Sequence, residues 1–72
     1  MRTIILKYLN NECDYEYVED YIIEYAKKNK KSVNLDYVKA RLDDIYTIKW
    51  AVGITTIEIL VNDLLHYLKV KN

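Results

Sequence analysis

The chain has 72 residues, of which 51% are hydrophobic, and its 11 Lys and Arg residues balance its 11 Asp and Glu residues. A net charge of zero provides no overall positive field for nucleic acid or anionic membrane, so any such binding requires a local basic patch. The single cysteine excludes an internal disulfide and a cysteine zinc site, and no apolar run approaches a membrane span or ends at a signal-peptide cleavage pattern. We therefore expect one small cytoplasmic domain, residues 1–72, without a membrane partner.

The first predicted helix covers residues 2–10, where Ile5, Leu6 and Leu9 fit one helix face. The same run would also alternate acceptably on a short strand. A polar break follows over residues 10–14, and Asp14 is expected to cap the next helix.

The second predicted helix covers residues 15–29, and its charges are segregated along its length. Its apolar face carries Val18, Ile22, Tyr25 and Ala26. Its acidic residues come first: Glu16, Glu19, Asp20 and Glu24. A lysine cluster follows: Lys27, Lys28, Lys30 and Lys31. The helix dipole favours this order of charges, so the lysines are accounted for by helix stabilisation, with an anion-binding patch as the alternative.

The third helix is predicted over residues 35–52 with Asn34 as its cap, and the fourth over residues 56–70. The third has apolar residues at helical spacing: Leu35, Val38, Leu42 and Ile45. The fourth has one apolar face: Ile57, Leu60, Val61, Leu64, Leu65 and Leu68. Thr55 and Glu58 match a capping box. Gly53, the only glycine, stands where the third helix needs a left-handed stop residue.

Residues 46–61 also permit a second interpretation, because they are rich in β-branched and aromatic residues. A two-residue turn at Gly53 and Ile54 would form a hairpin that places Trp50 opposite Ile57. We predict a mostly α, four-helix domain, and the alternative is an α+β winged helix-turn-helix with a hairpin at about 46–61. Core residues expected in either fold are Leu6, Leu9, Val18, Ile22, Leu35, Val38, Leu42, Ile45, Leu64 and Leu68.

The size of the chain favours self-association. A domain of this length buries only about 60% of the surface that its unfolded chain exposes, which leaves its stability marginal. Its hydrophobic content is high for so short a chain, so apolar surface is expected to remain for a partner. A homodimer is therefore the expected state.

Catalytic and metal-binding residues are sparse, so we expect no enzyme, no cofactor and no metal. Ser32 and His66 are the only serine and histidine, and they lie in different predicted elements. One glycine cannot form a glycine-rich phosphate loop. Asp63 and His66 have the three-residue spacing of a metal pair, to which Asp43 or Asp44 would have to add ligands. We interpret them as a solvated surface pair.

Two patterns resemble DNA-binding motifs. In the four-helix fold, residues 48–59 resemble part of a helix-turn-helix, through Ile48, Val52, Gly53, Ile54 and Ile59. Lys49 stands where that motif has a small residue, and Asn62 where it has an apolar one. In the alternative fold, the third helix resembles the recognition helix of a winged helix-turn-helix and exposes Lys39 and Arg41.

The leading functional expectation is a small homodimeric DNA-binding regulator of transcription. Its expected phosphate contacts are Lys27, Lys28, Lys30, Lys31, Lys39 and Arg41. The competing expectation is a non-enzymatic protein-interaction module, such as a small subunit, adaptor or inhibitor. Its expected interface residues are Tyr17, Tyr21 and Trp50.

Overall fold

The computed structural model describes residues 1–68, which form four helices. They are α1 (Arg2–Leu9), α2 (Tyr15–Lys28), α3 (Leu35–Ile48) and α4 (Ile54–Tyr67). No strand occurs within these residues, and the segment 46–61 holds the end of α3, a turn and the first half of α4 instead of a hairpin. The prediction of a small four-helix domain is confirmed. The predicted continuation of the fourth helix to residue 70 lies outside the described residues.

Helices α2 and α3 each begin at the side-chain cap that the sequence predicts. The Asp14 carboxylate accepts a hydrogen bond from the Tyr17 backbone N–H at 3.0 Å. The Asn34 side-chain oxygen accepts one from the Tyr37 N–H at 3.1 Å. Each bond satisfies an amide that the helix leaves without an internal partner.

Two Schellman motifs end α1 and α2, where the sequence offered no glycine. Asn11 (φ 61°) and Lys30 (φ 52°) take the left-handed conformation after the caps Asn10 and Asn29. The Lys31 N–H donates to the Ala26 carbonyl at 2.9 Å, and an equivalent bond closes α1. The predicted ends at residues 10 and 29 were therefore one residue late.

The predicted end of the third helix at residue 52 was wrong, because α3 stops at Ile48. The N–H of Ala51 donates to the Ile48 carbonyl at 2.8 Å, which closes a tight turn in place of a further helical turn. Residues 49–53 redirect the chain so that α4 packs against both α1 and α3. The apolar spacing of Ile48 and Val52 matched a helix, but spacing alone does not distinguish helix from turn.

The predicted roles of Gly53 and Thr55 were also wrong. Gly53 has an extended backbone (φ −75°, ψ 166°) and is the N-cap of α4, not a left-handed stop for α3. Its carbonyl accepts from the N–H groups of Thr56 and Ile57 at 3.1 and 3.2 Å. Because this places Thr55 inside α4, Thr55 cannot form a capping box with Glu58, and α4 has no side-chain cap.

The four helices enclose one apolar core. Its buried members are Ile5, Leu9, Val18, Ile22, Val38, Leu42, Ile45, Val61, Leu64, Leu65 and Leu68. Of the predicted core residues, Leu6 and Leu35 are only half-buried and pack against its edge. No polar or charged residue is fully buried within residues 1–68, so this core is held by apolar packing. None of the described helices combines the length and the hydropathy required to cross a bilayer.

Candidate interaction surface

The most exposed apolar side chains lie at the junction of α3 and α4. Trp50 is 79% exposed and Ile54 is 76% exposed. They border an open groove of about 470 Å³ between the end of α1 and the start of α4. Its apolar lining consists of Leu6, Leu9, Trp50, Val52, Ile54 and Ile57. Single exposed apolar residues are ordinary in soluble proteins, but a cluster beside an apolar groove is typical of a binding surface.

Lys49 holds the Trp50 side of this groove in place. Its ammonium donates a hydrogen bond to the Leu9 carbonyl and so joins the turn to α1. The same ammonium lies 4.1 Å from the centroid of the Tyr46 ring and 4.6 Å from that of Trp50, within range of cation–π attraction. The ammonium therefore contacts the indole in the free protein, although solvent surrounds most of the ring. A contact that restricts an exposed side chain lowers the conformational entropy that the side chain loses when a partner covers it.

The other two predicted interface residues lie on α2. Tyr17 is 55% exposed and Tyr21 is 42% exposed, on a flank of the helix about 60–140° around its axis from the buried Val18 and Ile22. The structure therefore places the three predicted interface residues on two separate elements, and α2 carries a second candidate surface.

Three of the six predicted phosphate contacts lie together. Lys27, Lys28 and Lys30 are exposed at the carboxyl end of α2. Lys31 is half-buried beside them and is already engaged. Its ammonium donates to the Tyr25 hydroxyl at 3.2 Å and to the Leu68 carbonyl at 3.4 Å.

The remaining two basic residues lie on α3 and do not join this group. The Lys39 ammonium lies 5.4 Å from the centroid of the Tyr15 ring, at the opposite end of α2. Tyr15 and Lys28 begin and end that helix, so about 20 Å separates them along its axis. Arg41 is half-buried. The six predicted phosphate contacts therefore do not form one continuous basic patch.

Helix α4 has an acidic exposed face, whereas the DNA-recognition helix of a helix-turn-helix would need positive or neutral groups there. Glu58, Asn62, Asp63 and His66 are exposed on it, and neither Lys nor Arg occurs between Ile54 and Tyr67. Residues 49–53 also form a longer connection than the three or four residues that a helix-turn-helix uses.

Asp63 and His66 acquire no third ligand, since no three His, Cys, Asp or Glu side chains in residues 1–68 are grouped to hold a metal.

A tyrosine cluster fastens α1, α2 and α3 together, and sequence reasoning missed it. The Tyr8 ring centroid lies 6.2 Å from that of Tyr15 and 5.6 Å from that of Tyr46. Burial, and after it the carboxylate of Glu19 one turn further along α2, together raise the pKa of Tyr15 to about 12. The Tyr15 hydroxyl is buried without a hydrogen-bond partner among the described residues. Eight tyrosines and no phenylalanine were the only sequence signal that a hydroxyl would be buried in this way.

Comparison of the chain with protein-family models, with curated proteins and with solved structures finds no match.

Proposed function

We propose that the protein is a non-enzymatic interaction module that docks an amphipathic helix of a partner protein in the groove beside Trp50. The observation that supports this most directly is that Trp50, which is 79% exposed and in cation–π contact with Lys49, lines an apolar groove. Tryptophan is the residue type most often found at the energetic centre of protein interfaces.

The free energy available at this surface is substantial. An aromatic side chain of this size buries roughly 150–250 Å² when it is fully covered. With 79% of Trp50 still exposed, covering it removes roughly 120–200 Å² from water, worth about 3–5 kcal/mol before the costs of association. Ile54 adds to this, because 76% of it is exposed beside the same groove.

The chemistry of the groove selects the class of partner. Its floor is apolar, whereas Asn10, Asn11, Lys49 and Glu58 supply a polar rim that includes one charge of each sign. An amphipathic helix matches this arrangement, since it presents one apolar face and keeps polar residues at the edges of the contact. A strongly charged partner does not match it.

The test is to select helical peptides from a displayed library against the wild-type protein and to measure their affinity by fluorescence anisotropy. Trp50→Ala or Ile54→Ala should weaken the selected peptides at least tenfold. Ile59→Ala is the matched control, because Ile59 is 55% exposed on α4 but does not line the groove. Peptides that bind Trp50→Ala and wild type equally would contradict the proposal.

We also propose that the domain self-associates as a homodimer. The support is its size of 72 residues together with a second exposed, partly aromatic face on α2. Sedimentation velocity over a range of concentrations tests it, and a constant monomer mass up to about 1 mM would refute it.

A second candidate function is binding of duplex DNA by the end of α2. The observation that favours it is the joint exposure of Lys27, Lys28 and Lys30 at the carboxyl end of α2. Three phosphate contacts predict a weak complex whose log affinity falls with log salt at a slope of about −2.7.

A gel shift across a salt series tests this function. Replacing Lys27, Lys28 and Lys30 together by Ala should abolish the shift. Lys39→Ala should leave it unchanged, because Lys39 is on α3 and contacts Tyr15, at the other end of α2 from these lysines. No binding by the wild-type protein at about 50 mM salt would end this proposal.

A further inference from the structure

We propose that two copies of the chain pair along the outward face of α2, antiparallel about a two-fold axis. This pairing depends on the proposed self-association and names the surface through which the two copies associate. The contact stripe consists of Tyr17, Tyr21, Glu24 and Lys28. All four side chains are exposed.

The positions of these four residues make a single stripe. Their spacing is four, three and four residues, which is the spacing of the contact seam of a helix pair. At 3.6 residues per turn they fall within an arc of about 60°. That arc lies on an exposed flank of α2, its centre about 110° around the helix axis from the midpoint of Val18 and Ile22, which are both 0% exposed.

The order of charges on α2 determines the direction of pairing. Its first ten residues carry the exposed Glu16, Asp20 and Glu24, and its last two are Lys27 and Lys28. Parallel copies would place like charges side by side, which destabilises a helix pair. Antiparallel copies place the acidic part of each helix beside the basic end of the other, and they also oppose the two helix dipoles.

An antiparallel two-fold axis passing between Tyr21 and Glu24 aligns specific side chains. Tyr17 then faces Lys28 of the second copy, a cation–π arrangement. Tyr21 faces Glu24 of the second copy, so that the phenol hydroxyl can donate to the carboxylate. Each of these contacts occurs twice, as the symmetry of an isologous interface requires.

Asp20 and Lys27 supply a flanking ion pair. Both are exposed, and both lie on the same side of the stripe, about 60–80° from its first residue by helical geometry. In an antiparallel pair such positions meet across the interface, so that Asp20 of each copy faces Lys27 of the other. Because the dimer covers Lys27, binding of DNA there would compete with pairing.

The size of this contact predicts a weak dimer. Helix α2 has 14 residues and is about 20 Å long, so one such contact buries less than the roughly 1,200–2,000 Å² of a standard stable interface. A dissociation constant on the order of 10–1,000 μM is expected. Sedimentation velocity and NMR titration work in this range.

A charge exchange between Asp20 and Lys27 tests the arrangement. Asp20→Lys places two lysines across the interface and Lys27→Asp places two aspartates there, so each variant alone should dimerise at least tenfold more weakly than wild type. An equimolar mixture restores both ion pairs and should form a one-to-one heterodimer. Circular dichroism establishes that each variant is folded, and Ile59→Ala should dimerise like wild type, because Ile59 lies on α4, outside both the α2 stripe and the groove.

The possible results separate this surface from the self-association on which it depends. Wild-type protein that stays monomeric up to about 1 mM overturns both. A wild-type dimer that neither substitution weakens overturns the α2 surface alone. Weakened variants whose mixture fails to associate overturn the antiparallel pairing of Asp20 with Lys27. Recovery in the mixture, at an affinity near that of wild type, supports the proposal and excludes misfolding as the cause of the loss.

Discussion

Ile45 and Ile54 are the same residue type, but the first is buried in the core and the second is exposed to solvent. Ile45→Ala should therefore lower the free energy of unfolding strongly, whereas Ile54→Ala should leave the fold nearly as stable and affect only the surface. Ile45 is 1% exposed in α3, whereas Ile54 is 76% exposed at the start of α4. Removing three carbons from a buried site costs about 2.4 kcal/mol in transfer free energy, and the cavity left behind raises the total to about 2–5 kcal/mol. Only about a quarter of Ile54 is covered, so its transfer cost is about 0.6 kcal/mol, which the higher helix propensity of Ala partly offsets.

Urea unfolding followed by circular dichroism at 222 nm measures both changes. A chain of 72 residues is expected to have an unfolding free energy of about 4–11 kcal/mol, so Ile45→Ala should remove a large part of it. With a slope of about 1 kcal/mol per M, its midpoint should fall by about 2 M or more. Ile54→Ala should shift the midpoint by less than about 0.6 M. Equal losses in the two variants would refute the reasoning, because Ile54 would then be packed in the fold and not free to bind a partner.

Three further predictions concern individual groups. Asp14→Ala and Asn34→Ala should each lower the unfolding free energy by about 1 kcal/mol, because each removes the side-chain cap of a helix, and an unchanged urea midpoint would contradict the caps. Lys30→Gly should raise the unfolding free energy by about 0.5–1 kcal/mol, since glycine adopts φ 52° without the strain of a side chain, and thermal melting checks its sign. Burial and the neighbouring Glu19 carboxylate raise the pKa of Tyr15 from 10.0 to about 12, so the unfolded chain ionises first. The contribution of Tyr15 to stability is therefore fully present below about pH 10 and is lost as the pH rises toward 12. Tyr15→Phe should therefore reduce the fall of the urea midpoint between pH 10 and pH 12, and identical pH profiles would contradict the burial of this hydroxyl.

The predicted features that the structure confirms depend on short-range chemistry. Asp14 and Asn34 were identified as caps because a side-chain oxygen three residues before a free amide is a local arrangement. The buried face of α4 followed from three- and four-residue spacing, which is a property of the helix itself.

Sequence alone favoured four amphipathic helices while it left a hairpin at about 46–61 open. It determined which helix faces are apolar and where two of the helices begin, because these features arise between residues a few positions apart. Tertiary structure decided the contacts of the chain after α3, where the Lys49 ammonium donates to the Leu9 carbonyl of α1, a partner 40 residues distant in the chain. It also decided that Gly53 starts a helix, that Lys39 is held apart from the lysines at the end of α2, and that Trp50 borders a groove. Each of these outcomes depends on how separate helices pack together, and the spacing of residues within one helix carries no information about that packing.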